Sequence, residues 1–316
     1  MKRRKKRRSS GRRGTRTALA LLIACIAGIV AVWLIPGGDR GSAPAPPRVP
    51  PAVEKTPTAA ESERTGTPPA VVRKVERKKI AILIDDIGYD PGALRRLLAI
   101  DAPLAFSVLP RLPHSRSSAE AIHRAGREVL LHLPMEPHGY PDRDPGRGAL
   151  FASMTAREIR KTLEEDMKSV PHAEGVNNHM GSKFMEAREP LGVVFDVLSG
   201  QGLYFVDSLT TEASAARELA GEKALPFAPR DLFIDDAENR EWARVHLEKL
   251  LETRNDWHEL LLIGHPYPET VAALEEMIPR LKSGGIELVP LSALVESRQG
   301  PGRSGPDGNQ NRNRTP

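Results

Sequence analysis

The stretch KIAILIDDIG at residues 79–88 carries an apolar run that stops at two adjacent carboxylates. The five residues at 80–84 are all apolar, which is typical of a strand buried on both faces, as in a parallel sheet. In α/β folds the carboxyl ends of such strands hold the active site. A solvated loop with a helix cap would explain one acid at this place, but the pair Asp85 and Asp86 favours a functional role.

Short apolar runs recur along the chain after residue 78, and helical patterns lie between them. The runs are at 80–84, 104–109, 129–133, 174–176, 203–206, 232–234, 260–263 and 286–289. The clearest helical patterns are at 156–170, 237–254 and 268–282, the first with a capping box of Thr155 and Glu158. This alternation predicts βα units and a parallel sheet. Seven or eight such units predict a distorted (β/α) barrel in the α/β class, with an open doubly wound sheet as the alternative.

The N-terminal region predicts a membrane anchor. Residues 1–16 carry ten Lys or Arg and no acid, and an unbroken apolar run of 18 residues follows at 18–35. As a helix this run is roughly 27 Å long, close to the thickness of a bilayer core. The basic flank should stay in the cytoplasm, which places the rest of the chain in the periplasm or another extracytoplasmic space. A cleaved signal peptide and a lipoprotein signal ending at Cys25 are the alternatives.

The composition then divides the remaining chain. A Pro- and Ala-rich stretch at 37–77 has no apolar periodicity and predicts a disordered linker. Before this linker lie the cytoplasmic segment at 1–16 and the transmembrane segment at 17–36. After it, the folded domain is expected at 78–296 and a disordered tail at 297–316. The overall charge of +5 comes from the termini, so the domain itself is acidic, which argues against a nucleic-acid partner. The single cysteine, Cys25, lies outside the domain.

Polar residues that directly follow the predicted strands are the candidates for chemistry. Because the carboxyl ends of parallel strands meet on one face of a barrel, these side chains should converge. Histidines and carboxylates are the ligand types of zinc and related divalent ions. The candidates are Asp85, Asp86, His132, Glu136, Asn177, Asn178, His179, Asp207, Ser208, Asp235, Asp236 and His265.

Each candidate also has a purely structural interpretation. A single histidine after a strand is more often a capping or hydrogen-bonding residue than a metal ligand. Asp235 and Asp236 precede a helical pattern, which favours an N-cap pair over a catalytic role. The Asn177-Asn178 pair would satisfy backbone groups of a loop. Three of the nine histidines nevertheless lie at ends of predicted strands, and this agreement favours a metal site.

Five motifs follow these strands in order along the chain. They are IDDIG at 84–88, HLPMEP at 132–137, GVNNHMGS at 175–182, VDS at 206–208 and IGHP at 263–266. Together they resemble the divergent polysaccharide deacetylase family, a branch of the NodB-type deacetylases that are also called carbohydrate esterase family 4-like. The resemblance covers about residues 78–296.

The resemblance implies a distorted barrel with a divalent metal, expected to be Zn²⁺, at the strand ends. In typical deacetylases the first Asp of the pair is the base and the second binds the metal, which implies these roles for Asp85 and Asp86. Their His-x-x-x-His ligand motif matches His132, but Glu136 stands at its second position. His179 is therefore the candidate for the remaining ligand. The usual Arg-Pro-Pro-Tyr element is absent.

The implied function is hydrolysis of N-acetyl groups on an envelope polysaccharide or peptidoglycan by a single-pass protein of the inner membrane. The late catalytic histidine of the superfamily corresponds to His265. Glu136, Asn178 and Asp207 are the candidates for substrate binding. The alternative is an inactive glycan- or partner-binding module with the same fold, which the changed ligand motif favours.

Overall fold

A computed structural model of the chain describes residues 77–235, 241–252 and 257–299. Within these ranges nine strands alternate with eight α-helices. The strands are β1 (Lys79–Ile87), β2 (Ala105–Val108), β3 (Val129–Met135), β4 (Ala173–Met180), β5 (Tyr204–Asp207), β6 (Phe227–Pro229), β7 (Leu232–Phe233), β8 (Glu259–Gly264) and β9 (Glu287–Leu288). The helices are α1 (Pro91–Leu98), α2 (Ser115–Arg124), α3 (Ala156–Ser169), α4 (Arg188–Gly200), α5 (Ala216–Glu222), α6 (Trp242–Glu252), α7 (Pro268–Ser283) and α8 (Leu291–Ser297).

The strands form one parallel sheet in the order β6-β5-β4-β3-β2-β1-β8-β7, and β9 pairs with the start of β1. Neighbours in the sheet are mostly neighbours in the sequence, as in a singly wound barrel, and the order lacks the central reversal of a doubly wound sheet. The parallel α/β part of the prediction is therefore confirmed, as a half-barrel of parallel strands. β6 is an additional strand that the apolar runs did not predict.

Strand β1 is buried on both faces, and this burial accounts for its five consecutive apolar residues. Ile80, Ile82 and Ile84 belong to the large cluster that packs the sheet against the helices. Ala81 and Leu83 point the other way, into a smaller inner cluster shared with β3, β5 and β8. Since successive side chains of a strand alternate between faces, an uninterrupted apolar run is what burial on both faces requires.

Two helix ends follow the local sequence signals. Thr155 caps α3 by accepting a hydrogen bond from the Glu158 backbone N–H, and the Glu158 carboxylate accepts one from the Thr155 N–H at 2.8 Å, so the capping box is confirmed. Helix α7 begins at Pro268 and ends before Gly284, as predicted. Helix α3 packs against β3 and α4, and α7 packs against α1 and α6.

The predicted anchor at 17–36 lies outside the described residues, as do all but the last residue of the linker and most of the tail. In the part of the chain that the structure describes, no helix has the length and apolar character needed to cross a bilayer. At the other end of the domain, the Arg298 guanidinium donates to the Pro229 carbonyl at 2.9 Å. The chain just after α8 is thus bonded to the edge of the sheet.

A buried ion pair gives the domain a pH-dependent stability. The fully buried Asp166 of α3 accepts a hydrogen bond from Arg111 Nε at 2.5 Å, and no described group bonds its second oxygen. Burial raises the pKa of Asp166 to about 7, and Arg111 opposes this only in part. Because this pKa is above the unfolded value, the folded state binds the extra proton, and stability falls as the pH rises from about 4 to about 7.

We expect Asp166→Asn to remove this part of the pH dependence. Wild type should lose about 1–3 kcal/mol of unfolding free energy relative to the variant between pH 5 and pH 8. Urea unfolding at both pH values measures the difference. Asp196→Asn, at an exposed carboxylate paired with Lys223, is the matched control. Parallel pH profiles for wild type and Asp166→Asn would contradict the assignment.

Candidate active site

Three strands of the sheet, β1, β3 and β4, bring the predicted ligands together towards their carboxyl ends. Asp86 lies at the end of β1, His132 in β3 and His179 in β4. The β3–β4 register pairs His132 with Asn177 and Pro134 with His179, so both histidines reach the same end of the sheet. The described part of the chain contains one such cluster of metal-ligand types, and these three residues form it.

The three ligand atoms form a nearly equilateral triangle. Asp86 Oδ1 lies 3.2 Å from His132 Nε2 and 3.2 Å from His179 Nδ1, and the two nitrogens are 3.0 Å apart. Metal–ligand bonds of about 2.0–2.1 Å at tetrahedral to octahedral angles require donor separations of roughly 2.9–3.4 Å. The residues present therefore fit a divalent ion. His132 is buried, whereas His179 and Asp86 are partly exposed, which leaves one side of the triangle open to solvent.

The backbone at this site adopts conformations that most residues avoid. Asp86 has φ of 56° and Met180, next to His179, has φ of 54°. Gly181 follows with φ of 89°, and a Cβ there would lie 2.7 Å from Met135 Cβ. Non-glycine residues in the left-handed region cost about 1–3 kcal/mol each and cluster at functional sites. The fold therefore holds one of the three ligands, Asp86, and the residue next to another, His179, against a backbone preference.

Asn177 connects the triangle to the neighbouring carboxylate. Its Nδ2 donates to Asp85 Oδ1 at 2.9 Å, and its Oδ1 accepts from His132 Nδ1 at 2.9 Å and from Ser107 Oγ. A carboxylate only accepts, so the amide nitrogen of Asn177 faces Asp85 and the oxygen faces the imidazole. The Nδ1 nitrogen of His132 then carries the proton, and Nε2 presents its lone pair to the triangle.

Asp85 is buried beside the triangle but is not one of its corners. Its Oδ2 lies 3.7 Å from His132 Nε2, and its other oxygen is bonded to Asn177. Burial raises the pKa of the Asp85 carboxyl, and His132 and His265 act against this shift. At Asp86, burial also opposes ionisation, but the adjacent imidazole groups of His132 and His179 hold the pKa of its carboxyl well below the usual range. The two adjacent acids therefore have different electrostatic environments, as paired acid–base groups do.

Asp235 orients His265 through two hydrogen bonds. Its Nδ1 lies 2.8 Å from Asp235 Oδ1, and its backbone N–H donates to Asp235 Oδ2 at 2.6 Å. Burial lowers the pKa of His265, but Asp235 outweighs it and raises the value to about 9. The N-cap interpretation of Asp235 is wrong, because this carboxylate binds His265 and the Thr270 hydroxyl instead. Asp236 lies outside the described residues.

The three predicted substrate-binding residues are buried and bonded within the protein. Glu136 accepts from Lys183 Nζ at 2.7 Å and from the Ala152 N–H, and the same interactions lower its pKa against the effect of burial. Asn178 joins the β4 and β5 ends through Met180 and Ser208. Asp207 accepts from Ser214 Oγ and the Leu209 N–H, and burial raises its pKa. These contacts brace the loops around the triangle, and direct contact with substrate stays a prediction for all three.

We expect Asn177→Leu to weaken divalent-ion binding by about 10- to 100-fold, the usual range for a group that orients a metal-binding histidine. Leucine fills a similar volume but cannot accept the His132 Nδ1 proton. Asn177→Asp keeps that acceptor and, with one proton shared between its carboxyl group and that of Asp85, should retain most of the affinity. Zinc titration of the metal-stripped protein measures both, and thermal unfolding checks that each variant folds. Wild-type affinity in Asn177→Leu would show that Asn177 does not orient the histidine.

The fold and the site define a parallel α/β half-barrel protein with a candidate metal centre and a buried carboxylate at the strand ends. The chain belongs to the divergent polysaccharide deacetylase family, whose model matches residues 82–295. The uncharacterised protein YibQ of Escherichia coli K12 is 34% identical over 221 residues, which cover 70% of this chain and 68% of that protein. An uncharacterised Haemophilus influenzae protein is 27% identical over 69% of this chain and 77% of its own length.

A solved structure supports the fold independently. The uncharacterised protein ATU2773 from Agrobacterium tumefaciens C58 matches with a TM-score of 0.63 and 22% identity, over 70% of this chain and 90% of that chain. At this level of identity the match concerns the architecture alone. The family assignment therefore rests on residues 82–295 and on the sequence relatives.

Proposed function

We propose that this protein is a metal-dependent deacetylase that hydrolyses N-acetyl groups on a cell-envelope glycan. The observation that carries the proposal is the triangle of Asp86, His132 and His179, with edges of 3.0–3.2 Å, next to the buried carboxylate of Asp85. A divalent ion, for which zinc suits the two nitrogen ligands and one oxygen ligand, would supply Lewis-acid activation of water and of the acetyl carbonyl when bound.

The chain's own residues supply the proton transfers. Asp85 is placed to accept the proton of the water that attacks the acetyl carbon, and burial supports this role by raising the pKa of its carboxyl. His265 donates a proton to the amine nitrogen as the C–N bond breaks, giving acetate and a free amino sugar. Asp235 keeps His265 protonated, with a pKa of about 9, until that step.

We also propose that residues 17–36 anchor the protein in the inner membrane, with the domain in the periplasm or another extracytoplasmic space. The support is the basic block before the apolar run. A reporter that is active only outside the cytoplasm, fused after residue 299, should be active. Activity of a cytoplasmic reporter at the same place would show the opposite orientation.

The experiment that tests the enzymatic proposal measures acetate release and metal content together. The purified full-length protein should release acetate from N-acetylglucosamine oligosaccharides or peptidoglycan, lose this activity on chelation and regain it with zinc. Metal binding without acetate release on any of these glycans would favour the glycan-binding module. That alternative is motivated by Glu136, which occupies the family's second histidine position and binds Lys183 instead.

A further inference from the structure

A cavity of about 560 Å³ lies beside His265. Its walls come from the loop between β6 and β7, from β7 itself, from the start of α6 and from the loop after β8. His265 is also the candidate proton donor of the active site, and it directly follows β8, the strand that pairs with β1, so the cavity adjoins that site. The lining residues are Arg230, Leu232, Phe233, Asp235, Trp242, His246, His265 and Tyr267.

Aromatic rings form much of this wall. The His265 ring stacks between Phe233 and Tyr267, with centroids 5.8 and 5.4 Å away and interplanar angles of 25° and 28°. Trp242 makes an edge contact with His246 and keeps 42% of its surface exposed. Large exposed aromatic groups that line a cavity mark a binding site, and the apolar face of a pyranose ring packs well on them.

Arg230 supplies a fixed positive charge in the same wall. Its guanidinium lies 3.8 Å from the Phe233 ring centroid, and its Nε donates to the Ser208 carbonyl at 2.9 Å. These contacts hold the side chain through neutral groups, and among the described residues its hydrogen bonds go to the backbone carbonyls of Ser208 and Leu209. A half-buried guanidinium without a paired carboxylate favours an anion supplied by the ligand.

The described acids that act on Arg230, and Asp235 in the cavity wall, are each bonded to other groups. Asp207 is bonded to Ser214 Oγ and the Leu209 N–H, and Asp85 accepts from Asn177. Asp231 binds Arg298 and the Leu261 N–H. Asp235, in the cavity wall, is balanced by His265. Among the described residues, no carboxylate is therefore paired with Arg230, and its charge can serve a ligand although the domain as a whole is acidic.

We propose that this cavity is a subsite for a pyranose ring that bears a carboxylate, with Trp242 packing on the ring and Arg230 binding the carboxylate. The inference rests on the proposed function for the choice of a glycan as ligand. It goes further in stating that the glycan is acidic at the unit next to the reacting sugar. A sugar with a carboxymethyl-type ether and a uronic acid both have this chemistry.

The test compares matched oligosaccharides that differ in the carboxylate. Cellotetraose and β-1,4-linked tetraglucuronate share a backbone and carry no acetyl group, so their binding does not depend on deacetylation. A second pair is the N-acetylglucosamine tetramer and the tetrasaccharide in which alternate units are N-acetylmuramic acid, with a lactyl carboxylate. Calorimetric titration of the full-length protein should give at least about tenfold tighter binding for the acidic member of one pair or both.

Two variants that each remove one positive charge test whether Arg230 causes the preference for the acidic oligosaccharide. Arg230→Gln keeps a donor for the carbonyl contact but should remove the preference for the acidic member. Arg217→Gln is the matched control, since Arg217 is exposed, lies over the Phe227 ring at 5.7 Å and is not in the cavity wall, and it should keep the preference. Trp242→Ala should weaken binding of acidic and neutral members alike, roughly threefold or more.

Three outcomes would overturn the subsite. They are equal binding within both pairs, a preference that persists in Arg230→Gln, and a preference that Arg217→Gln removes as well. None of these outcomes decides whether the protein releases acetate, because acetate release is measured separately. If the protein releases acetate but shows no preference that depends on Arg230, the proposed function stands and the subsite is refuted.

Discussion

Replacing His132 by alanine is expected to remove divalent metal from the protein. His132 Nε2 is one corner of the ligand triangle and the most buried of the three, and Asn177 fixes its tautomer. Two ligands remain in the variant, too few for a structural or catalytic zinc site. We expect a loss of affinity of at least about 100-fold, larger than the effect of losing an orienting group. Elemental analysis of the purified protein and zinc titration after chelation measure it.

A control variant shows whether metal is lost because a ligand is removed or merely because any histidine is removed. His123→Ala removes an exposed imidazole that stacks on His172, remote in the fold from the triangle, and should bind metal as wild type does. His132→Ala also opens a hole in a buried region, so its unfolding transition must be recorded. His179→Ala disturbs packing less, because this residue is partly exposed, and should lose metal in the same way. Full metal content in both variants would refute the site.

The residues at the strand ends were predictable because two local signals coincide there. A run that is apolar on both faces fixes β1 as a central strand, and the acids that end it must then lie at the carboxyl edge of the sheet. The same reasoning places His132 and His265 at that edge. A convergence of histidines and carboxylates follows from parallel pairing alone, without knowledge of the loops.

The partners that orient these residues could not be predicted in the same way. Asn177 bonds Asp85, His132 and Ser107, which come from three other strands, so its role depends on register and side-chain direction across the sheet. The pairing of Asp235 with His265 spans 30 residues, and locally Asp235 has the signature of a helix cap. Ser107 is the one polar residue of β2, and its hydrogen bond to Asn177 explains how it is accommodated in an otherwise apolar buried strand.

One short strand, β6, was missed for a related reason. β6 contains three residues, one of them Pro229, and it pairs only with β5 among the described strands. Neither length nor periodicity distinguishes such a segment from a loop, since its strand conformation comes from the edge it pairs with. The interaction of Glu136 with Lys183 is likewise tertiary, and it explains how a glutamate is accommodated at the position that corresponds to the second histidine of the His-x-x-x-His motif.

Replacing Asp85 by asparagine is expected to abolish acetate release while leaving the metal bound. Asp85 lies outside the triangle, and its Oδ2 is 3.7 Å from His132 Nε2, so the three ligand atoms are unchanged in the variant. Asparagine keeps an oxygen that accepts from Asn177 Nδ2 but cannot take a proton from water. General-base catalysis contributes about 10²- to 10⁴-fold, and we expect a loss in kcat of about 10³-fold.

Asp86→Asn is the matched comparison, because it makes the same chemical change one residue later. It should lose metal and acetate release together, whereas Asp85→Asn should lose acetate release alone. Metal content and turnover, measured on the same preparations, separate the base from the ligand. If Asp85→Asn also lost its metal, Asp85 would be a ligand and the assignment of the base would be wrong. If wild type and Asp85→Asn bound metal and glycan equally well and neither released acetate, the site would be a binding centre, and the enzymatic proposal would be refuted.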